Sequence, residues 1–295
     1  MCNLNGLHFI SLFQYLQSMF TTKISFRNTL LIAAALLLSN CSTNKYAATD
    51  KVYKNLAKGF SETIKATPPI NQTIDSLNNE QYFVGTVNMG IRKPNFVIIH
   101  HTAQDSTEQT LRTFTIARTA VSAHYVVGRD GKVVQMVNDY LRAQHAGLGK
   151  WGGVTDMNSC SIGIEMDNNG TTDVWTDAQI NSLCSLLATL KKKYGIPTAN
   201  FIGHADFAPT RKPDPNNFPW KTLAKKGFGL WYDDVLQLPP ADFNTTIALR
   251  IIGYDVKNLG AAITAFKRHF VGNDLTPVLT EPDKLILYNL YTKYM

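Results

Sequence analysis

The chain has 295 residues, 44% hydrophobic, 11% aromatic and 17% charged, enough for one sizeable core and a small second one, which excludes a disordered chain. A formal net charge of +7 favours an anionic partner such as a membrane surface or a carboxylate-rich polymer. The densest basic cluster, Lys191-Lys192-Lys193, closes an apparent helix, where cations complement the helix dipole, and this argues against nucleic acid.

The N-terminus reads as an address. Lys23 and Arg27 precede an apolar run from Leu30 to Leu38, then Ser39-Asn40-Cys41. A basic region, a short apolar run and small residues predict a secretory signal. The run falls well short of the roughly 20 apolar residues that a membrane span needs. Leu38-Ser39-Asn40-Cys41 resembles a bacterial lipobox, with Asn40 where Gly or Ala is usual. Residues 1–41 are therefore expected to be a lipoprotein signal ending at a lipidated Cys41, with translation starting at Met1 or Met19. The other reading is an ordinary cleaved signal with an incidental cysteine. Either way the mature protein works outside the cytoplasm. Residues 42–84 read as a polar tether with a short helix over Val52 to Ile64 and a break at Pro68-Pro69.

From residue 85 strands and helices alternate. Phe96 to Ile99 is a continuous apolar run, as in a buried strand. Glu108 to Arg118 reads as a helix. His124–Val127 and Val133–Met136 flank Asp130-Gly131, which predicts a hairpin. Ser161 to Met166 reads as a strand. Thr176 to Tyr194 reads as a helix, with Ile180, Leu183, Leu187 and Leu190 on one face, Thr176 as its cap and Gly195 as its stop. Asn200 to Gly203 is a short final strand. The expected fold class is α/β, a central mixed sheet flanked by helices over 85–238. After Pro239-Pro240, residues 239–295 carry helical patterns at Ile247–Ile252, Leu259–Phe270 and Pro282–Tyr294 and read as a separate small three-helix domain. Cys2, Cys41, Cys160 and Cys184 show no metal-site spacing, and a Cys160–Cys184 bridge stays open.

Five of the seven histidines fall between residues 100 and 204. His100 and His204 each follow an expected strand, so both can meet on one rim of a sheet. Asp214 lies beyond His204 in the proline-stiffened segment Arg211-Lys212-Pro213-Asp214-Pro215, and Glu165 stands near the end of the Ser161–Met166 strand. Two imidazoles and a carboxylate with an open fourth position would suit catalytic zinc, and a free carboxylate beside them could move a proton.

Ile98-Ile99-His100-His101-Thr102-Ala103, Ser122-Ala123-His124-Tyr125, His145-Ala146-Gly147, Ser161-Ile162-Gly163-Ile164-Glu165 and His204-Ala205-Asp206 with Ala208 to Pro215 occur in that order. Together they resemble the type 2 N-acetylmuramoyl-L-alanine amidases, relatives of the peptidoglycan recognition proteins. The resemblance covers about residues 90–235. It implies hydrolysis of the amide between N-acetylmuramic acid and L-alanine in peptidoglycan or muropeptides. It also implies Zn2+ held by His100, His204 and Asp214, with Glu165 as acid/base and Lys212 steadying the oxyanion. His145 is expected against substrate, and Trp151, which follows its loop, along the groove. His101 should point to the opposite face by strand alternation and be hydrogen-bonded there, and His124 should be structural. The remaining tryptophans, Trp175, Trp220 and Trp231, default to the core.

Gly253-Tyr254-Asp255-Val256 and Ala262 to Phe270 resemble three-helix peptidoglycan-binding domains. With the lipid cysteine, this order is similar to amidases anchored to the outer membrane of Gram-negative bacteria, implying a cell-envelope location, a membrane contact through lipid only, and no nucleic-acid partner. Two rival readings remain. A non-catalytic peptidoglycan-binding protein of the same fold would be expected to lack a metal ligand. A non-haem iron oxygenase would use the His204-x-Asp206 pair and a further histidine, for which only His269 remains downstream, and it would be all-β.

Overall fold

The computed structural model describes residues 44–66 and 89–294. The expected signal segment, Cys41, the alternative start at Met19 and tether residues 42–43 and 67–84, with the Pro68-Pro69 break, lie outside the described residues. The chain forms two compact units, Met1–Phe83 and Val84–Met295.

In the first unit, helix α1 spans Ala47–Lys65 and contains the expected Val52–Ile64 stretch. Val52, Leu56, Phe60 and Ile64 recur every fourth residue, and all four are exposed.

The second unit is built on five strands: β1 (Phe96–His101), β2 (Tyr125–Val127), β3 (Val133–Gln135), β4 (Ser161–Met166) and β5 (Phe201–Gly203), in the order β3-β2-β4-β1-β5. β4 and β5 run parallel to β1, β2 runs parallel to β4, and β3 folds back on β2 through the Asp130-Gly131 turn. The expected mixed sheet is thus observed. Side chains alternate across it. Val97 and Ile99 of β1 join Ile162, Ile164 and Met166 of β4 in one core cluster, whereas Phe96 and Ile98 join another.

The first cluster is covered by helix α3 (Asp177–Tyr194), through Ile180, Leu183, Leu187 and Leu190. Its ends are set locally. The Thr176 hydroxyl accepts the Gln179 N–H, the Gln179 side chain accepts the Thr176 N–H, and Gly195 closes the helix at φ 64°. Helix α2 (Thr107–Phe114) stops short of the Arg118 expected from sequence, giving way to a 3-10 turn at Ala117–Thr119. Two short helices were not foreseen, α4 (His204–Phe207) and α5 (Trp220–Lys225).

Helices α6 (Thr245–Ile252), α7 (Leu259–Phe270) and α8 (Glu281–Tyr294) follow the three expected patterns closely. Asn244 and Asn258 cap the first two by accepting the Ile247 and Ala261 N–H groups. They are not a detached piece. Leu249, Phe266, Leu287 and Leu290 share one core cluster with Phe96, Ile98, Ile202 and Phe207 of the sheet domain. The physical reason is that a parallel sheet must be covered on both faces, and α3 covers only one.

Trp151 corrects one expectation. It is 8% exposed, does not line the groove, and packs edge-on to Tyr254 with ring centroids 4.9 Å apart. Its backbone bridges to Tyr254, and a Cβ on Gly253 would come within 2.4 Å of the indole. The indole is a seam residue between the sheet domain and the C-terminal helices. Cys160 and Cys184 are both free thiols, so they are not bridged.

Candidate metal centre and active site

β1 and β5 run side by side, so the residues at and just past their C-terminal ends share one rim. His100 lies in β1 and His204 opens the turn after β5. The Asp214 carbonyl accepts the Ala205 N–H at 2.7 Å, which returns the Asp214 loop to this rim. His100 Nδ1 and His204 Nδ1 stand 2.9 Å apart, and each lies 3.1 Å from Asp214 Oδ2. All three residues are buried.

The hydrogen bonds around these rings fix their tautomers. The Ser161 hydroxyl donates its single proton to the Met157 carbonyl at 2.6 Å, so at 3.2 Å from His145 Nε2 it must accept. Neutral His145 then offers Nδ1 as an acceptor, and His100 Nε2 donates to it at 3.1 Å. Burial and the neighbouring His100 ring hold His145 well below the usual imidazole range, and burial with the nearby His204 ring pushes His100 down to about 4, so both rings are neutral. The bare lone pair of His100 is thereby left on Nδ1. On the other side His204 Nε2 donates to the Ala146 carbonyl at 2.8 Å, so in the neutral ring Nδ1 is the nitrogen without a proton.

With the rings neutral, two lone pairs and a carboxylate oxygen converge at about 3 Å. Such an arrangement is repulsive by itself and fits a cation. His100, His204 and Asp214 form a group that could bind a metal ion. Each imidazole is oriented by a bond from its far nitrogen, the usual support for a metal-ligating histidine.

Glu165 is the register partner of His100 on β4, so it shares the face of the sheet on which His100 lies. Its Oε2 is buried and has no hydrogen-bond partner. Burial pushes its carboxyl well above the usual range, Asp214 adds to this, and Lys212 opposes it. Lys212 is exposed, and its side chain borders the same cavity of about 360 Å³ as His100, Glu165, His204 and Asp214.

His145 also borders the cavity, but both its ring nitrogens are engaged within the protein, so only its ring edge is open to a ligand. Gly163 makes its position possible, because a Cβ there would lie 2.3 Å from the His145 ring. His101 faces the other way, as expected, and Nδ1 accepts the Asn216 N–H at 3.2 Å. His124 is fully buried between the Gly163 N–H and the Leu141 carbonyl, and burial pushes it down to about 4.

Several contributors carried no recognisable signal in the sequence. Ser161 sets the tautomer relay, and Asn158 Oδ1 accepts both the His145 and Ala146 N–H groups. Arg211 donates to the Ala146 and Leu148 carbonyls, pinning the segment that orients His204. The Gly-rich spelling of the 145–149 loop was the only hint that its backbone, not its side chains, contributes. Asp206 turns away from the centre. Its Oδ2 accepts from Gly203 N–H and His269 Nδ1, both at 2.7 Å, and its Oδ1 from the Tyr254 hydroxyl at 2.8 Å. His204 and Asp206 thus do not converge on one ion, and the sheet fold removes the all-β oxygenase reading.

A parallel-sheet rim with a buried His-His-carboxylate group, and an unpaired carboxylate one strand away, defines a candidate metal centre with a proton-carrying neighbour. Residues 90–217 match the family model Amidase_2, described as N-acetylmuramoyl-L-alanine amidase. The amidase AmiD of Escherichia coli (strain K12) is 34% identical over 206 residues, covering 59% of this chain and 74% of that protein. The 1,6-anhydro-N-acetylmuramyl-L-alanine amidase AmpD of Enterobacter cloacae is 43% identical over 106 residues, where the chain spans only 56% of its length. Among solved structures, Escherichia coli AmiD in complex with anhydro-N-acetylmuramic acid-L-Ala-D-gamma-Glu-L-Lys superposes with a TM-score of 0.61 at 30% identity, covering 71% of this chain and 93% of that one. Pseudomonas aeruginosa AmpDh3 in complex with anhydromuramic pentapeptide gives 0.63 at 28% identity, covering 74% and 98%. The chain belongs to the N-acetylmuramoyl-L-alanine amidase family.

Proposed function

We propose that the protein is a zinc-dependent amidase that hydrolyses the bond between the lactyl group of N-acetylmuramic acid and L-alanine in muropeptides, anhydro forms included. The observation that carries this reading is the convergence of two imidazole nitrogens and a carboxylate oxygen beside the unpartnered Glu165. Two imidazoles and one carboxylate are a donor set that zinc accepts while keeping a position open. When bound, zinc would polarise the scissile carbonyl and bring a water's pKa towards ~7.

The protein's own groups do the rest. Glu165 takes the proton of the attacking water and hands it to the departing L-alanine amine, a task suited to a carboxyl raised by burial. Lys212, at the cavity edge, places a cation where negative charge develops on the carbonyl oxygen. The ring edge of His145 borders the substrate. The substrate named for the AmiD and AmpDh3 complexes supports muropeptides as the ligand class.

The lipobox-like Leu38 to Cys41 supports a lipid anchor in the cell envelope, at the periplasmic side of the outer membrane. The apolar ridge of α1, only a few residues beyond Cys41, is compatible with life at a membrane surface. The helices beyond residue 239 are proposed to contact peptidoglycan.

The deciding experiment incubates protein lacking residues 1–41 with muropeptides, with and without a chelator, and reads products by mass spectrometry. Release of free stem peptide that is lost on chelation and restored by zinc is expected. Binding without cleavage, in protein shown to hold zinc, would overturn the catalytic reading in favour of a wall-binding protein.

A further inference from the structure

Helix α7 carries two neighbouring polar residues that both face the sheet domain. His269 Nδ1 donates to Asp206 Oδ2, and Arg268 Nη1 donates to Asn216 Oδ1. Asp206 lies two residues after His204, and Asn216 two residues after Asp214. One helix therefore holds both loops that bring His204 and Asp214 to the rim. We infer that α7 is the clamp that sets the metal-ligand geometry, with His269 and Arg268, assisted by Tyr254, as positioning residues. This rests on the metal-centre reading above.

The contacts are built rather than incidental. Asp206 is 2% exposed and receives three donors, from Gly203, Tyr254 and His269. Two of the three come from the C-terminal helical segment and its connection. Its bond to Gly203 N–H closes the turn in which His204 sits, so its position fixes where the His204 ring leaves the backbone. His269 is itself held flat against Trp220, ring centroids 4.1 Å apart at 13°.

The second loop is tied with comparable density. Asn216 N–H donates to His101 Nδ1, its Nδ2 donates to the Gly170 carbonyl at 2.8 Å, and its carbonyl accepts from the Trp175 indole at 3.0 Å. Arg268 adds the anchor from α7. The Ala205–Asp214 backbone bond joins the two loops directly, so strain at either is felt at both. Buried charges and polar groups are costly to leave unpaired, and this network leaves Asp206 with no competing arrangement.

By contrast Lys267, adjacent on the same helix, turns away to Asp274, Asp283, Thr276 and Val278. It supplies a control: a variant that weakens α7 without touching either ligand loop.

The experiment compares wild type, His269→Ala, His269→Asn, Tyr254→Phe, Arg268→Met and Lys267→Met, each in the chain from residue 42 onward. Zinc affinity is read by competition with a chromophoric chelator, muropeptide kcat and KM are read separately, and thermal unfolding reports folding. His269→Ala is expected to bind zinc roughly tenfold more weakly, the lower end for supporting residues. Its kcat should fall while KM stays near wild type. His269→Asn keeps a donor at the Nδ1 position and should recover most of the loss. Tyr254→Phe removes one hydroxyl from a retained ring, so it decides the question if His269→Ala does not fold. Lys267→Met should lower the unfolding temperature with unchanged zinc affinity. Wild-type protein without stoichiometric zinc uptake would sink the metal reading itself. Normal uptake by wild type with equal affinity in Tyr254→Phe and in folded His269→Ala, or equal loss in Lys267→Met, would overturn the clamp alone.

Discussion

The two faces of the central sheet solve the same burial problem differently. Towards α3 the middle of the contact is apolar, with Val97, Ile99, Ile162 and Ile164 under Leu183 and Leu187, and the buried hydrogen bonds come from the two ends of the helix, Gln179 to the Asp167 carbonyl and Tyr194 to Asp139. Towards the C-terminal helices the apolar cluster of Phe96, Ile98, Leu249 and Phe266 is interrupted by a polar seam, Asp206 with Tyr254 and His269. Neither of the α3 bonds ends on the loops that carry His204 and Asp214, so the first face stabilises. The second also orients, because hydrogen bonds have direction and apolar contacts do not. Substitutions should separate accordingly, into those that cost stability and those that cost chemistry.

The largest effects belong at the rim. Asp214→Ala removes one of three converging donors and should abolish both zinc content, measured by atomic emission, and turnover. Retention of one tightly bound zinc at full rate would refute the ligand assignment. Glu165→Gln should keep zinc and lower kcat by about 10²–10⁴, the usual range for a lost general acid/base. Lys212→Met comes next, at about 10² in kcat with KM little changed, if its charge acts on the developing oxyanion. A rise in KM alone would make it a substrate-binding residue instead.

On the α3 face, Leu187→Ala should destabilise by about 2–5 kcal/mol, read by urea unfolding, while kcat of the folded fraction stays unchanged. Trp151→Ala tests the seam from the apolar side. A groove residue would change KM, but an indole packed on Tyr254 and Gly253 should instead cost about 3–5 kcal/mol of stability. Any fall in its kcat would have to travel through Tyr254 to Asp206, which links this result to the clamp.

The same contrast explains what could be read before the fold was known. The α3 face announces itself by period: Ile180, Leu183, Leu187 and Leu190 repeat with the helix, and β4 runs as a continuous strand from Ser161 to Met166. His100, Glu165, His204 and Asp214 were legible because motifs in order locate residues that spacing alone leaves far apart. Trp151 misled because nearness in chain to His145 says nothing about which side of the loop a ring takes. That choice is made by Tyr254, a residue of the C-terminal segment. Likewise Asp206 reads as half of a metal pair, since its partners Tyr254 and His269 lie 48 and 63 positions away. Arg211 and Asn158 act through backbone carbonyls and amides, which have no spelling. The C-terminal helices were recognised as helices from their own pattern. Their shared core with Phe96 and Ile98 follows from sheet topology, which a local pattern does not contain.

The smallest effect probes the far side of α7, where the same helix is held by charge rather than by the seam. The fully buried Lys267 ammonium meets Asp274 at the surface and Asp283 inside. Lys267 first, then the Thr276 backbone and hydroxyl donors, pull the Asp274 carboxyl down to about 2. A carboxylate depressed in the folded state stabilises above its unfolded value of about 3.9 and loses that contribution as pH falls towards the folded value. The difference in unfolding midpoint between wild type and Asp274→Asn should therefore be full at pH 5 and shrink between about pH 4 and 2. Other depressed carboxylates, such as Asp139 and Asp233, act equally in both proteins and cancel in that difference. Because Asp274 is partly open to solvent, screening should keep the effect small, and added salt should reduce it further. Zinc affinity should stay constant across the pair at neutral pH. A metal affinity that followed Asp274 would mean that the two sides of α7 are one network, and that the division between a stabilising and an orienting surface does not run through this helix.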